Sequence, residues 1–389
     1  MLAAVLLMCG GVVSQDTMGT REAEFTLAPV VAFERVLLAD APPGMTPALA
    51  VVGPNLEVFV LDARASRILA FAPSGRLLWK AGRAGRGRGE FVAPVTLAYS
   101  ADGLWVGDIA ERRVLQFSLN GQFVSESPML SPVAAGGIPT PPAIVLADGT
   151  GLVEPIKELS NFRPSTYLVR IDHEGRVATQ IAQMSLKGML LRYDVPTADL
   201  QGFGVQPFGF FDRAGLTNAS GGRAYIVNQS DAPSGATRWW FGLVGVGSAG
   251  DTVYNLQKAY TPRRLEGGRY ESEIAERASM LLAAGRSSVG SRSQALTVVR
   301  RSVDRPRTLP SVTKVVAAQD GRIYLRREDM GRSEVIWTIL NGAGESVGWF
   351  RAPTGLEIGG SRGDAVVAIV VDREGNRTVR QYRLRRQSP

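Results

Sequence analysis

Apolar residues along this chain come in short runs, and polar turn residues separate these runs from one another. Leu104–Val106 follows directly on an Asp-Gly pair, Ile323–Leu325 follows another after one Arg, and Val58–Leu61 is followed by Asp62. Apolar runs of this length, bounded by turn residues, are typical of β-strands. The 44 Gly and 22 Pro residues are spread along the chain, which also favours many strands joined by turns. The pattern therefore predicts an all-β fold and excludes a helical repeat.

Two stretches of the chain repeat each other at an interval of 46 residues. The equivalent pairs are Asp62 and Asp108, Arg67 and Arg113, Phe71 and Phe117, and Gly75 and Gly121. Each copy predicts a strand that ends at Asp, a short loop, an Arg, a second strand and a Gly turn. The Asp and the Arg recur near the C-terminus, again five positions apart, as Asp372 and Arg377. We expect each Asp–Arg pair to brace its loop through an ion pair or a hydrogen bond.

The segment between the two copies has further features of a known repeat. A Gly-rich loop at residues 82–89 is followed by an acidic residue, Phe91, a Pro, a strand and an Asp-Gly turn. With this order of features, residues 58–121 resemble the NHL repeat family. The resemblance implies a β-propeller, a ring of four-stranded sheets, or blades, around a central channel. Because the Gly-rich loop leads into a strand and not into a helix, we do not interpret it as a dinucleotide-binding loop.

Weaker versions of the strand pattern fill most of the remaining chain. They cover residues 143–184, 208–257, 311–350 and 356–384. The last group has only three strands, and the apolar segment Phe25–Leu38 is expected to supply the fourth by pairing near Thr378–Leu384. The prediction is therefore a six-bladed β-propeller with four-stranded blades, in which an N-terminal strand closes the ring. The alternative, a pair of β-sandwiches, does not explain the 46-residue interval.

Residues 1–20 are expected to be a leader, and residues 21–389 the propeller. Leu2–Val13 is almost wholly apolar, but twelve helical residues span only about 18 Å of a bilayer core that is about 30 Å thick. This length suits the apolar region of a signal peptide. Leu6–Cys9 resembles a bacterial lipobox, which implies lipidation of Cys9; plain secretion and a buried first strand are the alternatives. The chain is thus predicted to be exported, as a periplasmic or outer-membrane lipoprotein or as a secreted protein.

The chain has few of the histidine and cysteine residues that often act in catalysis. Its one histidine, His173, lies in a predicted hairpin turn, and its one cysteine lies in the leader. A Ser-His-Asp triad and a zinc site with several histidines are excluded, and we expect no catalytic residue, cofactor or metal. The alternative function is a cation-dependent hydrolase or lactonase with Ca²⁺ in the central channel, as in propeller lactonases. Its candidate oxygen ligands are Asp102, Glu154, Asn228 and Asp320.

Positive charge is concentrated in two segments. Residues 80–90 carry a net charge of +3 and residues 258–307 one of +6, while the whole chain carries +8. The second segment is predicted to be an insertion between blades, with one helix over Glu271–Ala284. Both segments join the last strand of one blade to the first strand of the next. We therefore expect them to share one face, near the mouth of the channel.

The two basic segments indicate a non-catalytic binding protein of the cell envelope. Clustered guanidinium groups bind carboxylate, sulfate or phosphate well, so the expected partner is an anionic glycan, an anionic peptide or an envelope protein. Export and the lack of interleaved aromatic residues argue against nucleic acid. We expect a monomer that contacts a membrane only through a lipid anchor. The candidate ligand-binding residues are Arg83, Arg86, Arg88, Arg263, Arg264, Arg300 and Arg301.

Overall fold

The computed structural model describes residues 23–128, 223–229, 232–247, 251–283, 290–302, 305, 307–328 and 334–387, together with the backbone of the strands between residues 137 and 218. The strands of the first half are β1 (Ala23–Pro29), β2 (Pro47–Val52), β3 (Val58–Asp62), β4 (Arg67–Phe71), β5 (Leu77–Ala81), β6 (Pro94–Ser100), β7 (Gly103–Asp108), β8 (Arg113–Phe117), β9 (Phe123–Pro128), β10 (Gly137–Ile138), β11 (Ile144–Val145), β12 (Gly151–Val153), β13 (Ile156–Lys157) and β14 (Ser165–Ile171).

The strands of the second half are β15 (Val177–Ser185), β16 (Leu190–Thr197), β17 (Leu200–Pro207), β18 (Thr217–Asn218), β19 (Ala224–Asn228), β20 (Trp239–Val246), β21 (Thr252–Tyr260), β22 (Lys314–Ala317), β23 (Ile323–Glu328), β24 (Glu334–Leu340), β25 (Ser346–Pro353), β26 (Leu356–Arg362), β27 (Ala365–Val371) and β28 (Arg377–Arg386). The helices are α1 (Val31–Asp40), α2 (Gly267–Ala283) and α3 (Arg292–Ser302). Within the described residues, every helix is too short or too polar to cross a bilayer.

Four of the sheets are antiparallel and have four strands each. Their strand orders are β2-β3-β4-β5, β6-β7-β8-β9, β11-β12-β14-β15 and β18-β19-β20-β21. The first strands of successive sheets lie beside one another: β2 contacts β6 and β26, while β22 contacts β18 and β26. Apolar side chains fill the space between neighbouring sheets, as where Phe59 and Leu61 pack with Leu104 and Val106. Because successive side chains point to opposite faces of a strand, a sheet can pack apolar residues against both of its neighbours.

The largest sheet overturns part of the fold prediction. Its eight strands lie in the order β22-β23-β24-β25-β1-β28-β27-β26, because β1 pairs with both β28 and β25. Gly348 makes the second pairing possible, since a Cβ there would lie 2.1 Å from the Ala23 carbonyl oxygen. The pairs β10-β13 and β16-β17 also stand outside any four-stranded sheet. The prediction of six separate four-stranded blades, closed by an N-terminal strand, is therefore wrong.

The segment Phe25–Leu38 is half strand and half helix, whereas the sequence predicted one strand. β1 pairs antiparallel with the end of β28, from Phe25 opposite Arg386 to Pro29 opposite Tyr382. Its continuation forms α1, because Phe33 and Leu37, one helical turn apart, are both buried in the core that contains Val379. The N-terminal segment therefore packs against the last strand as expected, but over fewer residues.

The connection 261–313 contains two helices, where the sequence analysis predicted one. α2 includes most of the predicted helix and begins four residues earlier, and α3 packs against it through Ala295 and Val299. The start of α3 has a reciprocal cap: the Gln294 amide N–H donates to Ser291 Oγ at 3.2 Å, and the Gly290 N–H donates to Gln294 Oε1 at 3.1 Å. This Ser-x-x-Gln signal is visible in the sequence and was overlooked there.

Candidate anion-binding face

The strand order distinguishes the two ends of each four-stranded antiparallel sheet. We name one of them the connection end. It is the end where the first strand begins and the fourth strand finishes, so it carries the connections 82–93 and 261–313. The loops between second and third strands emerge at the same end, and with them the Asp–Arg repeat positions. The hairpin loops that follow first and third strands lie at the opposite end, the turn end. Both predicted basic segments thus belong to the connection end by topology.

Backbone hydrogen bonds hold the Gly-rich loop of connection 82–93 in place. The Phe91 N–H donates to the Arg83 carbonyl at 2.8 Å, and the Gly85 N–H donates to the Phe91 carbonyl at 3.0 Å. Phe91 is fully buried, with its ring centroid 5.6 Å from that of Phe117. Gly82 has a φ of +81°, and a Cβ there would lie 2.3 Å from the Phe91 ring. The loop is therefore anchored in the core, with its tip outward.

A single carboxylate holds the tip of this loop. Glu90 accepts the Gly87 N–H at 2.8 Å through Oε2 and the Arg83 Nε–H at 2.6 Å through Oε1. Gly85 has a φ of +152°, a conformation that residues with a side chain rarely adopt, and a Cβ there would also displace Glu90 Oε2. The hydrogen bond from Gly87, followed by the one from Arg83, lowers the pKa of Glu90 below its ordinary value.

Acidification is expected to release this clamp. Because the pKa of Glu90 is lower in the folded state, the Glu90 carboxylate contributes to the free energy of unfolding at pH values above its unfolded-state pKa. This contribution is lost as the pH falls through the folded-state pKa. The amide proton chemical shift of Gly87, followed by NMR, should titrate with a midpoint below the ordinary pKa of a Glu carboxyl group. In Glu90→Gln the same chemical shift should not change over this pH range. A midpoint at or above the ordinary Glu pKa in the unmodified chain would contradict the assigned hydrogen bonds.

The three arginines of the loop point outward and have defined neighbours. Arg83 and Arg86 are each 81% exposed, and they pair with Glu90 at 2.6 Å and with Glu111 at 3.2 Å. Arg88 is also exposed, and its guanidinium carbon lies 5.4 Å from the centroid of the Phe123 ring. The loop therefore presents three exposed guanidinium groups, two of which are paired with acidic residues.

The other four candidate arginines belong to the helical insertion. Arg263 and Arg264 lie at its base, where the Leu309 N–H donates to the Arg263 carbonyl at 2.9 Å. Arg300 and Arg301 are exposed in the last turn of α3. Arg300 donates a hydrogen bond to Glu271 at 2.6 Å, and this bond to the carboxylate raises the pKa of Arg300. Their placement on one face with the Gly-rich loop follows from strand order and stays a prediction.

The Asp–Arg repeat positions are not equivalent in the three copies. Asp62 is fully buried and accepts Arg67 Nη2–H at 2.9 Å. Asp108, also buried, instead accepts the backbone N–H groups of Val92 and Ala93, at 2.8 and 2.9 Å. In the second copy, Arg113 donates to the Glu126 carboxylate and to the Glu90 carbonyl. In the third copy, Asp372 accepts the backbone N–H groups of Glu374 and Asn376. Arg377 donates to the Pro47 carbonyl.

A second cationic cluster at the connection end was not identified from the sequence. Glu357, near the start of β26, forms ion pairs with Lys314 at the start of β22 and with Arg326 at 3.7 Å. Burial raises the pKa of Glu357, but Lys314, Arg326 and Arg377 together keep it below the ordinary value. Three cations around one carboxylate leave an excess of positive charge beside the first strands. The signal is invisible in the sequence because the four residues are far apart along the chain.

The candidate residues for a cation site have other roles where the structure describes them. Asp320 accepts the Gly363 N–H at 3.0 Å and the Arg322 N–H at 3.2 Å, so it braces two loops. Asp102 is an exposed turn residue. Over the described part of the chain, no three Asp, Glu, His or Cys side chains are grouped as metal ligands. Cys9, Glu154, His173 and the side chain of Asn228 lie outside the described residues.

Comparison with known proteins gives a likeness of fold. No protein-family model and no curated protein matches the sequence, so the NHL resemblance is not confirmed. A structure of a predicted exported protein from Bacteroides fragilis is 12% identical, with a TM-score of 0.50 over 96% of this chain and 98% of that one. A DUF4221 family member from Bacteroides vulgatus is 10% identical, with a TM-score of 0.43 over 95% and 100% of the two chains. Virginiamycin B lyase from Staphylococcus aureus is 10% identical, with a TM-score of 0.34 over 87% and 84%. These similar structures are propeller-type folds.

Proposed function

We propose that this chain is a non-catalytic binding protein of the cell envelope that recognises an anionic ligand at its connection end. The observation that carries the proposal is the Gly-rich loop. Its backbone hydrogen bonds and the ion pairs with Glu90 and Glu111 hold Arg83 and Arg86 outward, each 81% exposed. A loop ordered in advance loses little conformational entropy on binding, so its arginines are ready to bind a carboxylate, sulfate or phosphate group.

The charge around this loop supports an anionic ligand. The Lys314–Arg326–Arg377 cluster on Glu357 adds excess positive charge at the starts of the first strands. Summed over one end of a protein, such charges attract anions and accelerate their association. The insertion arginines Arg263, Arg264 and Arg301 extend the same field if both connections share a face.

Export supports the cellular setting. The apolar segment Leu2–Val13 has the length of a signal-peptide core. The similar structure from Bacteroides fragilis belongs to a protein that is itself predicted to be exported. The proposed ligand is accordingly an anionic glycan, an anionic peptide or the acidic surface of an envelope protein.

Heparin chromatography tests the proposed binding face. The double variant Arg86→Ser/Arg88→Ser removes two exposed cations and leaves the Arg83–Glu90 clamp intact. We expect it to elute from heparin at clearly lower salt than the unmodified chain. The matched control is Arg76→Ser/Arg223→Ser, which removes two exposed arginines at the turn end. Equal elution of the two double variants would show that the connection end has no special affinity for anions.

A further inference from the structure

The outward side of α1 combines apolar and basic residues. Phe33 and Leu37 face the core, and Val31, Arg35 and Leu38 follow one another along the opposite side of the helix. Val31 is 50% exposed. Leu38 is 79% exposed, the highest value for a large apolar residue in the described part of the chain. The outward side of α1 therefore carries an apolar residue one turn before Arg35 and another one turn after it.

Arginines of β28 lie on the same side of its sheet as α1. Val379 packs in the core with Phe33 and Leu37, and the alternation of an unbroken strand puts Arg383 and Arg385 on the face of Val379. Both arginines are exposed. Arg386, at the end of the strand, is also exposed but alternates to the opposite face, that of Leu384. Within the described residues, none of Arg383, Arg385 and Arg35 has an ion-pair partner. We name Val31, Arg35, Leu38, Arg383 and Arg385 the α1–β28 surface.

The charge balance of this surface is positive. Two exposed acidic residues border it: Glu24 on β1, and Asp364, whose carbonyl accepts the Leu384 N–H. Glu34 on α1 is already paired with Arg380 at 2.7 Å. Three arginines, Arg35, Arg383 and Arg385, thus face two unpaired carboxylates around an exposed Leu and Val. This combination of basic and apolar side chains suits the interface of an anionic bilayer.

The course of the chain brings an apolar segment to the same place. β1 begins at Ala23, beside the end of β28, where Phe25 lies opposite Arg386. Nine residues separate Val13, the end of the apolar run in the leader, from Ala23. Nine residues span at most about 30 Å. Any membrane insertion of the leader would therefore hold the α1–β28 surface close to the bilayer.

We infer that the α1–β28 surface docks on the headgroups of an anionic phospholipid bilayer. Arg35, Arg383 and Arg385 bind lipid phosphates, while Leu38 and Val31 enter the boundary between headgroups and acyl chains. β28 runs away from the connection end, from Arg377 toward Arg386. The docked protein consequently keeps the ligand-binding loops directed away from the lipid. This inference does not depend on the proposed function, since it uses other residues at the other end of the sheet.

Vesicle binding by the full chain tests the inference. Binding to phosphatidylcholine vesicles is compared with binding to vesicles that also contain phosphatidylglycerol. The leader segment Leu2–Val13 has no charged residue, and residues 14–22 add one more acid than base, so the leader gives no preference for anionic lipid. We expect tighter binding to the anionic vesicles, and on the order of tenfold weaker binding to them by Arg383→Ser/Arg385→Ser. The control Arg64→Ser/Arg373→Ser removes two exposed turn arginines at the connection end and should keep the preference.

A second variant keeps the test decisive if the first one unfolds. Leu38→Ser changes a side chain that is 79% exposed, so the melting temperature should stay the same while affinity for anionic vesicles falls severalfold. The inference is overturned if the full chain shows no preference for anionic vesicles. It is also overturned if Arg383→Ser/Arg385→Ser and Arg64→Ser/Arg373→Ser lose this preference to the same extent. Heparin elution of the same proteins separates the two proposals. A variant that loses vesicle binding but elutes from heparin at an unchanged salt concentration is altered in the α1–β28 surface and not in the binding face of the proposed function.

Discussion

Replacement of Asp108 by Ala is expected to lower the free energy of unfolding by about 3 kcal/mol. The Asp108 carboxylate is fully buried and accepts the Val92 N–H at 2.8 Å and the Ala93 N–H at 2.9 Å. Alanine removes this acceptor from both part-buried donors, and loss of a hydrogen bond to a charged group costs about 1.5–3 kcal/mol. Val92 and Ala93 follow the Gly-rich loop directly, so the variant should also weaken retention on heparin.

Urea unfolding measures the first of these effects. The matched control is Asp102→Ala, because Asp102 is exposed at the other end of β7 and its replacement should change stability by less than about 0.5 kcal/mol. Asp108→Asn should fall between the two, because its amide oxygen still accepts one N–H. If Asp108→Ala and Asp102→Ala unfold at the same urea concentration, the assigned role of Asp108 is wrong.

Replacement of Phe33 by Ala is expected to cost about 3–5 kcal/mol. Phe33 is fully buried in the core that joins α1 to β2, β3, β4, β27 and β28, where it packs with Phe71, Val367 and Val379. The cavity left by its ring would lie between the first and the last sheets, so the join between the two ends of the chain should weaken most. Thermal unfolding of the variant should therefore occur well below that of the unmodified chain.

The control for this variant lies on the same helix. Val31→Ala removes a side chain that is 50% exposed, so it should change stability by less than about 0.5 kcal/mol. Comparable melting temperatures for the two alanine variants would mean that α1 is not part of the core.

The sequence predicted individual strands better than their association. The 46-residue interval correctly placed β3, β4, β7 and β8, because short apolar runs between turn residues are local signals. Strand pairing over long distances has no such signal. The contact of β1 with β25 depends on Gly348, more than 300 residues away, and it turned two predicted blades into one sheet. The helix α1 was missed because Phe33 and Leu37 were assigned to a strand despite their four-residue spacing.

The candidate site was predicted in part for the same reason. The Arg-rich composition of residues 80–90 identified the exposed loop, but the sequence did not show that Glu90 and Glu111 pair with two of its arginines. The pairing of Arg300 with Glu271 was likewise hidden, since the partners lie on different helices. The cluster around Glu357 forms only when β22, β23, β26 and β28 come together. Local charge patterns therefore indicate a face, and tertiary contacts decide which of its charges are balanced.

The binding role of the Gly-rich loop is tested most directly by titration with a heparin oligosaccharide at several salt concentrations. The unmodified chain and Arg76→Ser/Arg223→Ser should bind with the same affinity, which falls steeply as salt rises. Arg86→Ser/Arg88→Ser should bind more weakly and with a shallower salt dependence, because two exposed cations of the preformed loop are gone. Identical affinities and salt dependences for all three proteins would contradict a ligand-binding role for the connection end.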